Sequence, residues 1–161
     1  MYFFALKNIS FLVKKRLSYM KTVAEFKCKF NIPIEDISQE KKIIFHSKYK
    51  ANILGLNENS IECFIIALIT VAKLMQYRYT LDLRDNNDAT FIIFNNYYLD
   101  NIRLEIKNIT DMIIELIAKE LNNKHCITNI IAFYINNINC SYFNCLDKKI
   151  ISDALQKISF N

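Results

Sequence analysis

Residues 24–34, AEFKCKFNIPI, decide how this chain is read, because the hydrophobic period changes within them. Upstream, Leu6, Ile9, Val13, Leu17 and Met20 recur at spacings of three and four, which predicts an amphipathic helix over residues 2–22. From Ala24 the period drops to two. Phe26, Cys28, Phe30, Ile32 and Ile34 alternate with Glu25, Lys27, Lys29, Asn31 and Pro33, the pattern of a half-buried strand. Pro33 has no N–H to give to a ladder, so the strand is expected to end there or to lie on a sheet edge.

Working outward, Ile43–Ile44–Phe45 reads as a second short strand, and residues 47–59 as a loop holding the single glycine, Gly55. Ser60 is placed to cap a helix over residues 61–76, apolar nearly all round and therefore expected at the centre of the core. Three more strands are predicted: Tyr77, Tyr79, Leu81 and Leu83 alternating with charged and polar residues, then residues 89–94, then Ile102, Leu104 and Ile106. Short turns between them suggest an antiparallel meander. Asn108 or Thr110 would cap a helix to about Leu121, residues 127–138 read as helix or strand, and a short helix over residues 147–158 closes the chain. The expected fold class is α+β: a mostly antiparallel sheet with an N-terminal amphipathic helix, a buried central helix and C-terminal helices, in one globular domain over residues 1–161. That order is similar to the roadblock family of small adaptor subunits and, in part, to longin-type trafficking proteins, which implies an adaptor role. A mostly helical Bcl-2-like viral inhibitor suits the composition, but the alternating segments at 25–34, 77–84 and 102–107 speak against it.

Of 161 residues, 27 are Ile, 19 Asn and 17 Lys, against one Gly and one Pro. With one glycine there is no dinucleotide fingerprint and no Walker loop. Codons for Ile, Asn and Lys are rich in A and T, so the composition points to an AT-rich genome, such as that of a virus or an intracellular parasite. Residues 1–50 carry 11 Lys/Arg and 4 Asp/Glu, a charge of +7, whereas residues 51–161 carry 10 and 12, a charge of −2. The basic excess therefore lies in the N-terminal third and suggests an acidic partner there. Five cysteines without framework spacing fit reduced thiols, hence the cytoplasm, of a host cell if the protein is viral. No apolar run reaches the roughly 18–20 residues of a membrane span; the nearest, Ile61 to Met75, is interrupted by Glu62 and Lys73. Residues 1–24 hold five Lys/Arg and no acid, which resembles a mitochondrial-type presequence, although the segment is expected to stay uncleaved.

Candidate chemistry is sparse. His46 and His125 read as surface or packing residues. Cys126 beside His125, and Cys28 between Lys27 and Lys29, read as structural thiols before nucleophiles. His125, Cys126, Cys140 and Cys145 form the only zinc candidate, and their spacing matches no recurrent knuckle. Asp85 and Asp88 belong to a turn, and Phe94, Tyr97 and Tyr98 to cross-strand packing before base stacking. No catalytic residue, metal or cofactor is expected. The strongest feature is a possible anionic-partner face of Lys7, Lys14, Lys15, Arg16 and Lys21 on the first helix. The expected function is a non-enzymatic protein-interaction or adaptor factor with a protein partner. The alternative is an RNA- or ribosome-associated factor docking on phosphate through that cluster, with peripheral membrane contact less favoured.

Overall fold

The computed structural model describes residues 2–85, 98–122 and 127–161. Six helices follow one another: α1 (Tyr2–Lys29), α2 (Ile37–Ile53), α3 (Glu58–Asp85), α4 (Tyr98–Asn122), α5 (Ile127–Asn136) and α6 (Cys145–Leu155). The expected α+β sheet is absent among the described residues. Among the described residues the sole strand-like contact is an isolated antiparallel bridge between Leu56 and Phe160. The predicted strands at 43–45, 77–84 and 102–107 lie inside α2, α3 and α4, the segment at 25–34 is the end of α1 and the loop after it, and residues 89–94 fall outside the described residues. The helix predicted at 2–22 runs on to Lys29, the central helix at 61–76 lies within α3, and residues 127–136 are helical.

Burial shows why the alternation misled. From Ala72 onward the buried residues of α3 are Ala72, Met75, Gln76 and Tyr79, on one helical face, while Tyr77 and Leu81 of the supposed alternating set are exposed. In α4 the buried row runs Leu99, Ile102, Ile109, Ile113, Ile114 and Ile117, and Leu104 faces solvent. With 52% of residues apolar, six-residue alternations arise inside sequences whose longer period is helical. In α1 the cause is different. Val23, Ala24, Glu25, Phe26 and Lys27 are all buried, because this end of the helix is enclosed by α3, α4 and the following loop.

Helix ends follow the scarce punctuation. α1 closes in a Schellman-type turn: Ile32 N–H donates to Lys27 O (2.8 Å), and Asn31 takes the left-handed conformation at φ 52°. Pro33 stands just beyond it, where a helix cannot continue. Asp36 caps α2 by accepting from Gln39 N–H. Gly55, at φ 76°, makes the turn from α2 to α3. Asn57, not Ser60, caps α3, accepting from Ser60 N–H at 3.1 Å. The one Gly and the one Pro thus both serve helix–helix connections.

α1, α2, α3 and α4 pack as a bundle, with α5 against α1, α6 along α3, and α5 and α6 against each other. The main core joins Ile9, Val13 and Leu17 of α1 to Phe64, Ile65 and Leu68 of α3, Ile113, Ile114 and Ile117 of α4, Ile131 and Ile135 of α5, and Ile151 and Leu155 of α6. α3 is long and apolar enough to cross a membrane by length and composition, but its apolar row is the spine of this core. α6 is anchored by Asp147, fully buried, which closes a capping box with Asn144 and takes a two-pronged ion pair from Arg78 at 2.6 and 3.0 Å.

Candidate active site

Each of the four bundle helices turns one row of residues toward a shared cavity of about 100 Å³. α1 supplies Arg16, Met20, Val23 and Lys27, spaced by four, three and four. Arg16 and Lys27 are eleven residues apart, close to three turns, so a continuous helix puts them on one face. The loop and first turn of α2 supply Asp36, Gln39 and Glu40; α3 supplies Ile69, Ala72, Lys73 and Gln76; α4 supplies Leu99, Arg103 and Ile106.

Arg16 is the most constrained of these groups, at 2% exposure. Its Nε donates to Thr110 Oγ1 and an Nη to Leu68 O, both at 3.3 Å. Thr110 spends its own hydroxyl proton on Ile106 O (2.7 Å), so only its lone pair is left to face Arg16. Burial lowers the Arg16 pKa from the ordinary guanidinium value to about 10. Among the described residues no carboxylate lies within 4 Å of this guanidinium. Lys27 resembles it: Nζ donates to Ile34 O (2.6 Å) and, among the described residues, has no carboxylate within 4 Å. Burial, then the neighbouring Arg103 charge, lowers its pKa, while Asp36, Glu40 and Glu35 pull the other way.

The two other cations are compensated. Arg103 pairs with Asp36 at 2.7 Å and leans on Asp100 at 3.7 Å, and Lys73 pairs with Glu40 at 3.1 Å. The cavity wall therefore carries four cations and two carboxylates, with Arg16 and Lys27 as the pair left without a counter-ion. Gln76 adds a neutral amide. Its Nε2 donates to Ala72 O (3.2 Å) and weakly to Met20 Sδ (3.6 Å), and its buried Oε1 has no partner. Unpaired buried charge and amide groups of this kind mark a place built for a polar ligand.

The residues singled out from the sequence are dispersed. Lys14, Lys15 and Lys21 are exposed on α1, and Lys21 Nζ lies 5.3 Å from the Tyr79 ring centre. Lys7 sits further back on the same helix. Arg16 turns inward, so the structure groups it with Lys27, Lys73 and Arg103 and not with its basic neighbours in sequence. His46 pairs with Asp111 at 3.1 Å beside a neighbouring groove. Cys28 and Cys140 are half-buried and Cys145 is exposed; Tyr98 opens α4, Asp85 ends α3, and His125, Cys126, Asp88, Phe94 and Tyr97 lie outside the described residues. The signal in the sequence was the Arg16–Lys27 spacing, hidden once residues 25–34 were read with a period of two.

The profile of the family described as chorismate mutase type II matches residues 7–77. A secreted chorismate mutase from Yersinia pestis is 40% identical over 110 residues, 68% of this chain; the alignment spans 58% of that protein's length. A monofunctional chorismate mutase from Enterobacter agglomerans is 25% identical over 154 residues, covering 96% of this chain and 83% of its own. The crystal structure of the Yersinia pestis secreted chorismate mutase superposes with a TM-score of 0.84 at 33% identity, over 95% of this chain and 97% of that one. A chorismate mutase structure from Burkholderia thailandensis shares the fold, with a TM-score of 0.73 at 20% identity over 95% of this chain and 98% of that one.

These likenesses overturn several expectations. The non-enzymatic adaptor and the RNA- or ribosome-associated factor give way to an enzyme family, and the viral or parasite reading loses its support with them. The expected protein or RNA partner loses its support as well. The cytoplasmic reading, drawn from unpaired cysteines, is contradicted by a relative described as secreted. Sequence and fold agree over nearly the whole length of the Yersinia structure, and this chain belongs to the chorismate mutase family.

Proposed function

We propose that this protein is an isomerase that binds chorismate in the four-helix cavity and rearranges it. The observation that carries the reading is the charge arrangement: two buried cations, Arg16 and Lys27, that among the described residues have no carboxylate within 4 Å, facing a cavity whose other charges are paired. Chorismate is a dicarboxylate with an enol ether and a ring hydroxyl. Its two negative charges match the two uncompensated cations, and a buried cation is worth most to an anion where water is excluded.

A mutase reaction is intramolecular. One C–O bond of the ether breaks while a C–C bond forms, and no proton needs to move. The site accordingly requires positioning and charge stabilisation, not an acid–base pair. Arg16, locked between α3 and α4, anchors one carboxylate. Lys27 has three donors, of which Ile34 O takes one, so it can meet a carboxylate and the ether oxygen together. The Gln76 amide, turned to present Nε2, is a second donor for that oxygen as it gains electron density. Glu40 offers an acceptor for the hydroxyl. Apolar walls from Val23, Ile69, Leu99 and Ile106 keep the reacting segment dry and folded on itself.

The test is direct: purified protein is mixed with chorismate, and loss of substrate is followed with appearance of a product of the same mass. Turnover in wild type that disappears in R16M and K27M supports the reading; wild type without turnover refutes it. The secreted Yersinia relative also supports export of this chain, which cell fractionation of the native host would check.

A further inference from the structure

We infer that Lys73 is a positioning residue for this site: it acts on the substrate through Glu40, holding that carboxylate against the cavity wall and cancelling its charge. The inference rests on the reading of the cavity as a chorismate site. Lys73 lies on α3 one turn before Gln76 and faces α2 across the cavity. Its Nζ takes Glu40 Oε2 at 3.1 Å, with both side chains about three-quarters buried. Among the described residues Glu40 Oε1 makes no protein hydrogen bond. One oxygen is therefore held and the other left for the cavity.

The arrangement resolves an electrostatic conflict. Glu40 stands in a site built for an anion, and its field reaches Lys27. An uncompensated carboxylate there would repel a dianion as strongly as Lys27 attracts it. Pairing with Lys73 removes the repulsion and keeps Glu40 as a hydrogen-bond acceptor, a geometry that a free, rotating carboxylate loses. Without Lys73 the lining falls from four cations against two carboxylates to three against two. Arg103 and Asp36 form a second such pair across the same wall, so the first turn of α2 is tied to both α3 and α4 by charge.

The alternative is that Lys73 itself meets the substrate, and a double-mutant cycle separates the two. Full-length K73M, K73R, E40Q and E40Q/K73M are compared for KM and kcat with chorismate and for calorimetric Kd. Urea midpoints serve as the fold control. K73M should raise KM and Kd about tenfold or more, with a smaller change in kcat, and K73R should stay within about threefold of wild type. In the E40Q background, K73M should add less than about twofold. A K73M penalty of equal size with and without Glu40 overturns the inference, as does K73R behaving like K73M. If K73M fails to fold, K73Q carries the same comparison. Wild type that binds chorismate without turnover removes the proposed activity but leaves the cycle readable in Kd; wild type that does neither overturns both.

Discussion

Arg16 offers the sharpest separation between what stabilises this fold and what makes it work. The perturbation is R16M, which keeps an unbranched apolar stem and removes the charge. Burial lowers the Arg16 pKa from the ordinary guanidinium value to about 10. At 1.36 kcal/mol per pH unit, keeping this guanidinium charged inside the empty protein costs about 3 kcal/mol. The sign follows from protons: the folded state releases the Arg16 proton at lower pH than the unfolded chain, so the penalty is fully present below about pH 10 and is relieved as pH rises beyond it. Against this stand two hydrogen bonds, each 3.3 Å long and each worth about 0.5–1 kcal/mol. Neither acceptor is stranded in R16M, since Thr110 still donates to Ile106 O and Leu68 O lies within α3. The difference predicts that ligand-free R16M is more stable than wild type by about 1–2 kcal/mol, a rise in Tm of roughly 2–8 °C for a chain of this size. Turnover of chorismate should fall by about 10³-fold or more, because the anchoring cation is gone. Urea and thermal melts at pH 7 with and without chorismate check both halves. Added chorismate should stabilise wild type and leave R16M unmoved. Destabilisation of R16M by more than about 1 kcal/mol would show that Arg16 is a structural strut whose bonds outweigh its burial, and would refute the reasoning.

Two further outcomes follow from the geometry. Lys27 must be protonated to hold an anion, and burial and Arg103 lower its pKa, so kcat/KM should hold through neutral pH and decline on the alkaline side below pH 10.5. A wild-type profile flat to pH 10.5 would remove Lys27 from the site. Asp147 is fully buried and takes both prongs of Arg78 while capping α6, so D147A should cost about 3 kcal/mol in urea unfolding with little change in KM; a loss under about 1 kcal/mol would show that α6 is not anchored there.

The relation between Arg16 and its neighbours explains why the site was hard to see. In the sequence Arg16 follows Lys14 and Lys15 and is one more basic residue on a basic helix. A rotation of 100° per residue separates it from Lys15, and that rotation decides between solvent and a sealed wall. Lys27, Lys73 and Arg103 carry no local mark of function either. Each becomes part of a site only because three helices, α1, α3 and α4, bring positions 16, 27, 73 and 103 to one cavity. The grouping is made by the bundle and not by a short motif.

Some features were legible without coordinates. The scarcity of Gly excluded glycine-rich phosphate loops, the apolar segment at 61–76 announced the central helix, and the spacing of Ile9, Val13 and Leu17 announced the buried face of α1, because these depend on local composition and on one period. The switch at Ala24 from a period near four to a period of two was different. Over ten residues the chain satisfies both readings, and the choice rests on what surrounds it. Burial of Val23 through Lys27 by α3, α4 and their own loop is a tertiary fact, and it keeps that stretch helical. The sequence alone therefore determined that the apolar rows of residues 9–17 and 61–76 had to leave water. Only packing decided which charged ones would go with them, since the cost of burying Arg16 and Lys27 appears in no local pattern.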